Sequence, residues 1–153
     1  MGRVQGKVAF MTGAARGQGR SHAVRLAEEG ADIAAVDICA PIATMHYPLA
    51  TTEDLEQTVQ EVQATGQRIL ARQADVRFRP QLRQVVDDAI AEFGRLDAVV
   101  ADAGIIPLAD PTLCEGFVDV TDVDLIGVMN TVAVSLPNLK KGRRSSSPDP
   151  RPA

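Results

Sequence analysis

Short apolar runs alternate along this chain with stretches whose apolar residues recur at helical spacing. Val8 to Met11 is an unbroken apolar run closed by Thr12 and Gly13, the length and punctuation of a buried strand. In RSHAVRLAEEG, Ala23, Leu26 and Ala27 fall on one helical face and Gly30 supplies a stop. ADIAAVD predicts a second strand. TTEDLEQTVQEVQATG opens with Thr51 and Asp54 at capping-box spacing, carries Leu55, Val59 and Val62 at helical intervals and ends at Gly66. RILARQADV is strand-like again, and RPQLRQVVDDAIAEFG predicts a helix with Pro80 in its first turn and Leu82, Val86, Ile90 and Phe93 inward. LDAVVADAG is a fourth strand running into a turn. From about Val118 to Lys141, Val120, Val123, Ile126 or Gly127, Val128 and Val132 make a mixed helical stretch that Pro137 should kink or end.

Four strand-helix alternations call for a doubly wound parallel α/β sheet with right-handed crossovers and helices on both faces. Two non-periodic stretches, ICAPIATMHYPLA and IIPLADPTLCEG, are long enough to be lids or binding loops. The final eleven residues hold three Arg, three Ser and three Pro with Ala153 as the only apolar side chain, too little burial to offset ordering entropy. The expected organisation is one unit over 1–142 followed by a disordered tail over 143–153.

Composition narrows the function classes. The 153 residues fit one domain, the 45% apolar fraction with only 3% aromatic suits layered strands and helices, and a net charge of -4 offers no basic face for nucleic acid. No run approaches a membrane span and MGRVQGKVAFMTG has no signal-peptide core, so a soluble cytoplasmic protein is expected. Cys39 and Cys114 are too few and too far apart for a disulfide framework or a zinc site, and are expected to be reduced, buried thiols. No metal cluster is visible.

The chemistry begins at TGAARGQG, which places Gly13, Gly17 and Gly19 between a strand and a helix. Gly13 can turn the chain out of the strand, Gly17 lets backbone approach a diphosphate, and Gly19 permits close helix packing, while the helix N-terminus offers N–H groups to phosphates. Asp37, eighteen residues beyond Gly19 at a strand end, can accept both hydroxyls of an adenosine ribose. Asp75, ending the third strand, is placed to reach an adenine edge.

These motifs together resemble the short-chain dehydrogenases/reductases: TGAARGQG, VDI (Val36–Ile38), ADV (Ala74–Val76), ADAG (Ala101–Gly104) and DVDLIGV (Asp122–Val128), over residues 4 to about 141. The loop VDICAPIATMHYPLATTEDL further resembles the mycofactocin-associated, carveol-dehydrogenase-like branch, in which an insertion near the cofactor accompanies tightly held NAD. The resemblance implies that Thr12, Gly13, Arg16, Gly17, Gln18 and Gly19 line the pyrophosphate, Asp37 the ribose, Asp75 and Val76 the adenine, with Ala103 and Gly104 beside the cofactor. Asp102 and Asp124 stand where the family usually has Asn, the latter being the Asn of the catalytic tetrad. An ionised Asp accepts but does not donate, so Asp102 removes a donor where strands and cofactor meet.

The family's proton-transfer pair, a Tyr with a Lys four residues later, is missing. The only Tyr is Tyr47, with Thr51 four residues on, and Lys7, Lys140 and Lys141 are the only lysines. Ser145, Ser146 and Ser147 lack the strand that should precede a catalytic Ser, and His22 and His46 have no paired carboxylate in view. The implied molecule is an incomplete Rossmann-like half domain of strand order 3-2-1-4, truncated before Tyr-x-x-x-Lys. It would bind NAD in preference to NADP, inherit a small alcohol or ketone as the family's substrate class and be inactive alone. A non-catalytic NAD-binding or subunit-interaction protein, pairing through its last helix or forming a homo-oligomer, is the alternative. DAVVA would be left as an exposed sheet edge.

Overall fold

A computed structural model describes residues 2–107 and 114–139, and the tail expected over 143–153, with Lys140, Lys141 and the three serines, lies outside the described residues. Strands β1 (Val8–Thr12), β2 (Asp32–Asp37), β3 (Ile69–Gln73) and β4 (Ala98–Ala101) form one parallel sheet in the order β3-β2-β1-β4, as the alternation and the resemblance led one to expect. Phe10 stands opposite Ala34 on one side and Val99 on the other. Every residue of β1 is buried because both faces of the sheet are covered, which explains why it reads as a continuous apolar run.

Side chains alternate between the two faces. Val8, Phe10, Ala34 and Val36 pack with Leu82 and Val86 of α3 (Arg79–Phe93) and with Val134. Ala9, Met11, Ile33 and Ala35 pack on the opposite face with Ala23 and Ala27 of α1 (Gly17–Glu28) and Val62 of α2 (Thr52–Ala64). The capping box at α2 is formed as its spacing predicts: Asp54 N–H donates to Thr51 Oγ1 at 3.2 Å and Thr51 N–H to Asp54 Oδ2 at 2.8 Å. Four inward assignments shift. Leu26, Val59, Ile90 and Phe93 are only partly buried, and Thr58, Val85 and Ala89 take buried places instead.

The last helical stretch departs most from its expectation. It begins earlier, as α4 (Cys114–Val120), widens into a π-helical turn over Thr121–Gly127, resumes as α5 (Val128–Ser135) and closes in a 3-10 turn at Leu136–Asn138 that contains Pro137. Gly127 is buried against the turn after β3, where a Cβ would lie 2.5 Å from Val76 Cγ2. The extra residue of the π turn rephases the buried positions, so that Val123, Gly127, Asn130, Thr131 and Val134 face inward while Met129 and Val132 face out. Beyond α5, Leu139 forms an isolated parallel bridge with Leu96, two residues ahead of β4. No described helix is long and apolar enough to cross a membrane.

Candidate cofactor-binding site

The site lies at the carboxyl ends of β1, β2, β3 and β4, where a cavity is bounded by Gly13, Arg16, Asp37, Asp75, Val76, Ala103 and Gly104 and walled by Ile38, Ile42, Leu49, Ile105 and Val123. Gly13, at φ 70°, turns the chain out of β1. A Cβ there would stand 2.8 Å from the backbone of Ala103, and one at Gly19 would stand 2.0 Å from Gly13 O, so two close backbone approaches depend on these glycines. Gly17 has open space where its Cβ would be.

The glycine loop is anchored from behind. Arg20 donates to Ala15 O through Nε at 3.1 Å and Nη2 at 2.5 Å, and Thr58 Oγ1 donates to Ala14 O at 2.9 Å. Ahead of the loop, no side chain caps α1 at Arg16, and the helix start borders a groove of Gly13, Arg16, Gly17, Gln18, Asp102 and Gly104. Unpaired first-turn N–H groups and the positive helix end make such a groove favourable for an anion. Thr12, at the end of β1, is buried, and its hydroxyl accepts the N–H groups of Asp102 and Ala103, each at 3.2 Å, tying β1 to the turn after β4.

Asp37 sits at the tip of β2, 8% exposed, with Oδ2 accepting Ala15 N–H at 3.0 Å and Oδ1 accepting Cys39 N–H at 3.3 Å. These two bonds orient the carboxylate at the cavity wall and leave acceptor capacity for a ligand. Cys39 is half-buried rather than buried, with φ 44°, and burial first, then the charge of Asp37, pushes its thiol up to about 11, which keeps it protonated. The side chain of Cys114 lies outside the described residues.

The loop from 38 to 51 folds over the cleft and is pinned on its far side. Ile42, Met45 and Ala50 are buried, Tyr47 Oη accepts Ile106 N–H at 3.1 Å, and Thr44 Oγ1 donates to Asp119 Oδ2 at 2.5 Å. Asp75 lines the cavity, but its carboxylate is paired with Arg77, through Nε at 2.9 Å and Nη2 at 2.7 Å. Asp102 borders the anion groove, 4.0 Å from His22 Nδ1. Asp124 Oδ1 accepts Ile105 N–H at 2.9 Å, so at this contact the acid supplies the acceptor oxygen that an Asn would also have.

Four residues of the site escaped the sequence reading: Arg20, Thr58, Arg77 and Asn130. Asn130, 4% exposed, donates to Val76 O at 3.0 Å and Arg77 O at 3.3 Å and accepts Arg79 Nε at 2.9 Å, fixing the turn that carries Asp75 and Val76. Thr58 and Asn130 do carry a signal, since each is a polar residue on the buried stripe of its helix. Arg77 lies in a turn, where periodicity says nothing.

Comparison with known proteins agrees with this geometry. A family profile described as short chain dehydrogenase matches residues 7–146. The chain is 44% identical over 152 residues to a (-)-trans-carveol dehydrogenase of Rhodococcus erythropolis, covering 96% of this chain and 54% of the relative. An uncharacterized oxidoreductase of Mycobacterium tuberculosis is 54% identical over 136 residues, covering 89% of this chain and 49% of the relative. Among solved structures, a carveol dehydrogenase from Mycobacterium avium in complex with NAD superposes with a TM-score of 0.87 at 47% identity, over 91% of this chain and 51% of that one. The chain thus spans about half the length of the curated relatives it matches.

Proposed function

This chain belongs to the short chain dehydrogenase family, and from that premise we propose that it binds NAD in the cleft between the glycine loop and the ends of β2, β3 and β4, without completing a catalytic centre by itself. The observation that carries the reading is Asp37, a carboxylate held at the tip of β2 by Ala15 N–H and facing a cavity next to the uncapped start of α1. The residues fit the group. A diphosphate meets N–H donors and no Cβ at Gly17, a ribose meets Asp37, and the apolar walls Ile38 and Val76 suit a flat base.

When bound, NAD supplies hydride transfer, which in the family interconverts a small alcohol and a ketone. The likeness to relatives named as carveol dehydrogenases supports a secondary alcohol of that kind as the substrate class. This chain's own residues bind and orient. Arg20 and Thr58 fix the loop, Thr12 fixes Asp102 and Ala103, and Asp124 fixes Ile105. No Tyr is followed four residues later by Lys, and Tyr47 Oη is engaged by Ile106 N–H, so no residue is assigned to move the substrate proton.

Calorimetric titration of the full chain with NAD, together with a turnover assay over secondary alcohols and ketones, tests both halves of the proposal. Saturable binding with no turnover is expected. Absence of binding overturns the cofactor reading, and steady turnover overturns the inactivity. A second reading, that the chain acts by pairing with another subunit, is favoured by the outward apolar residues Phe117 at 71%, Leu125 at 55% and Met129 at 56% exposure.

A further inference from the structure

Asp37, Asp75, Asp102 and Asp124 all stand around the cleft, and three of their carboxylates are engaged. Asp37 accepts the N–H groups of Ala15 and Cys39, Asp75 those of Arg77, and Asp124 that of Ile105. Asp102 differs. Its backbone N–H is held by Thr12 Oγ1 at 3.2 Å, yet among the described residues its carboxylate accepts no hydrogen bond and has one cation-forming neighbour within 4.0 Å, His22 Nδ1 of α1. The carboxylate is 22% exposed and the imidazole about half exposed. Asp102 also borders the groove of Arg16, Gly17 and Gln18, where the start of α1 offers N–H groups to an anion. A negative charge at that place opposes the anion that the helix end attracts.

We propose that Asp102 and His22 form a pH-dependent switch on dinucleotide affinity: with His22 neutral the charge of Asp102 weakens binding of the diphosphate, and with His22 protonated the pair is neutral overall and binding tightens. The proposal rests on the NAD reading above. Histidine is the side chain whose charge changes between about pH 5 and 8. The other charges packed about α1 have partners of their own. Arg20 faces Asp54 and Glu61 of α2, Arg25 is paired with Glu28 and Glu29, Asp32 of β2 is paired with Arg68, and β1 carries no charged residue. Arg16, exposed at the groove, bears a guanidinium, which stays charged over this range and adds a constant attraction.

The test is calorimetric titration of the full chain with NAD at about pH 5.5 and about pH 8. It is repeated on Asp102→Asn, on His22→Gln and, as a control, on His46→Gln, an exposed residue of the 38–51 loop. The parent should bind about threefold to tenfold more tightly at the lower pH. Asp102→Asn should bind at the higher pH at least as tightly as the parent does at the lower, and the dependence should vanish. His22→Gln should match the parent at the higher pH and lose the gain at the lower, while His46→Gln should keep the parent's profile. Residues that served only to hold the fold would not produce this crossed pattern of pH and charge. A parent affinity equal at both pH values, a dependence that survives in His22→Gln or Asp102→Asn, or one that is lost in His46→Gln overturns the proposal and leaves the NAD reading standing. Should Asp102→Asn fail to fold, the His22→Gln profile decides alone. A parent that binds NAD at neither pH removes the NAD reading and this proposal with it.

Discussion

The glycine loop and the helical stretch from α4 to α5 meet the same cavity from opposite sides and are built by opposite means. The loop is held by backbone approaches that only glycine allows, of Gly19 to Gly13 and of Gly13 to Ala103, by hydrogen bonds that Arg20 and Thr58 donate, and by the Ala15 N–H that Asp37 accepts. The α4–α5 stretch is held on one face by Val123, Asn130 and Val134, while Phe117, Leu125, Met129 and Leu136 remain outward. The first region is specified by buried and close-packed contacts, most of them among its own residues. The second presents an apolar face that nothing in the described chain covers, so its stability should respond to association where the loop's does not.

The contrast is broken most severely at Gly19. Because a Cβ there meets Gly13 O, Gly19→Ala should cost about 3 kcal/mol or more and abolish NAD binding, whereas Gly17→Ala, with open space and φ 58°, should cost about 1 kcal/mol. Urea unfolding midpoints of the two variants measure this directly, and similar losses would deny the packing role of Gly19. Next comes Asn130→Ala, which leaves the buried carbonyl of Val76 without its donor. About 1–3 kcal/mol of stability should be lost by the same measurement.

Thr51→Ala removes half of the capping box and should cost about 1 kcal/mol, a purely local effect on α2 that leaves the α4–α5 side untouched. Leu125→Lys is the smallest in stability, within about 0.5 kcal/mol, because the residue is exposed, yet it should reduce self-association seen by light scattering. An unchanged mass distribution would mean that this face is not where copies meet.

Acid should also separate local from general effects. Burial alone would raise the Asp97 carboxyl, but hydrogen bonds from Arg95 and Val8 N–H and the charge of Lys7 outweigh it and hold the group below its ordinary value. A depressed carboxyl stabilises the fold at pH values above the unfolded value of about 3.9, and the contribution disappears as pH falls through the folded value. Asp97→Asn should therefore flatten the acid limb of a pH-stability profile and leave the neutral plateau lower.

Apolar run length and helical spacing made the four strands and the first three helices readable, because β1 and β2 are buried on both faces and α2 carries its own cap, whereas the strand order came with the family resemblance. Asp37 was readable because its distance from the glycine loop reflects one strand-helix-strand unit. The π turn was not readable, since it depends on Gly127 meeting Val76 from a distant turn. Arg77 and Asn130 were hidden for the same reason: their partners, Asp119 and the carbonyls of Val76 and Arg77, are brought near only by the fold.

Asp37 at the ribose is the central claim, and parallel titrations of the full chain with NAD and NADP test it most directly. A 2'-phosphate would face the carboxylate, and unit charges about 4 Å apart repel by roughly 1 to 4 kcal/mol between water and a protein surface. NAD should bind about tenfold or more tightly than NADP, and Asp37→Asn should narrow that gap. Equal affinities for the two dinucleotides in the parent chain, or a gap untouched by Asp37→Asn, would contradict the account.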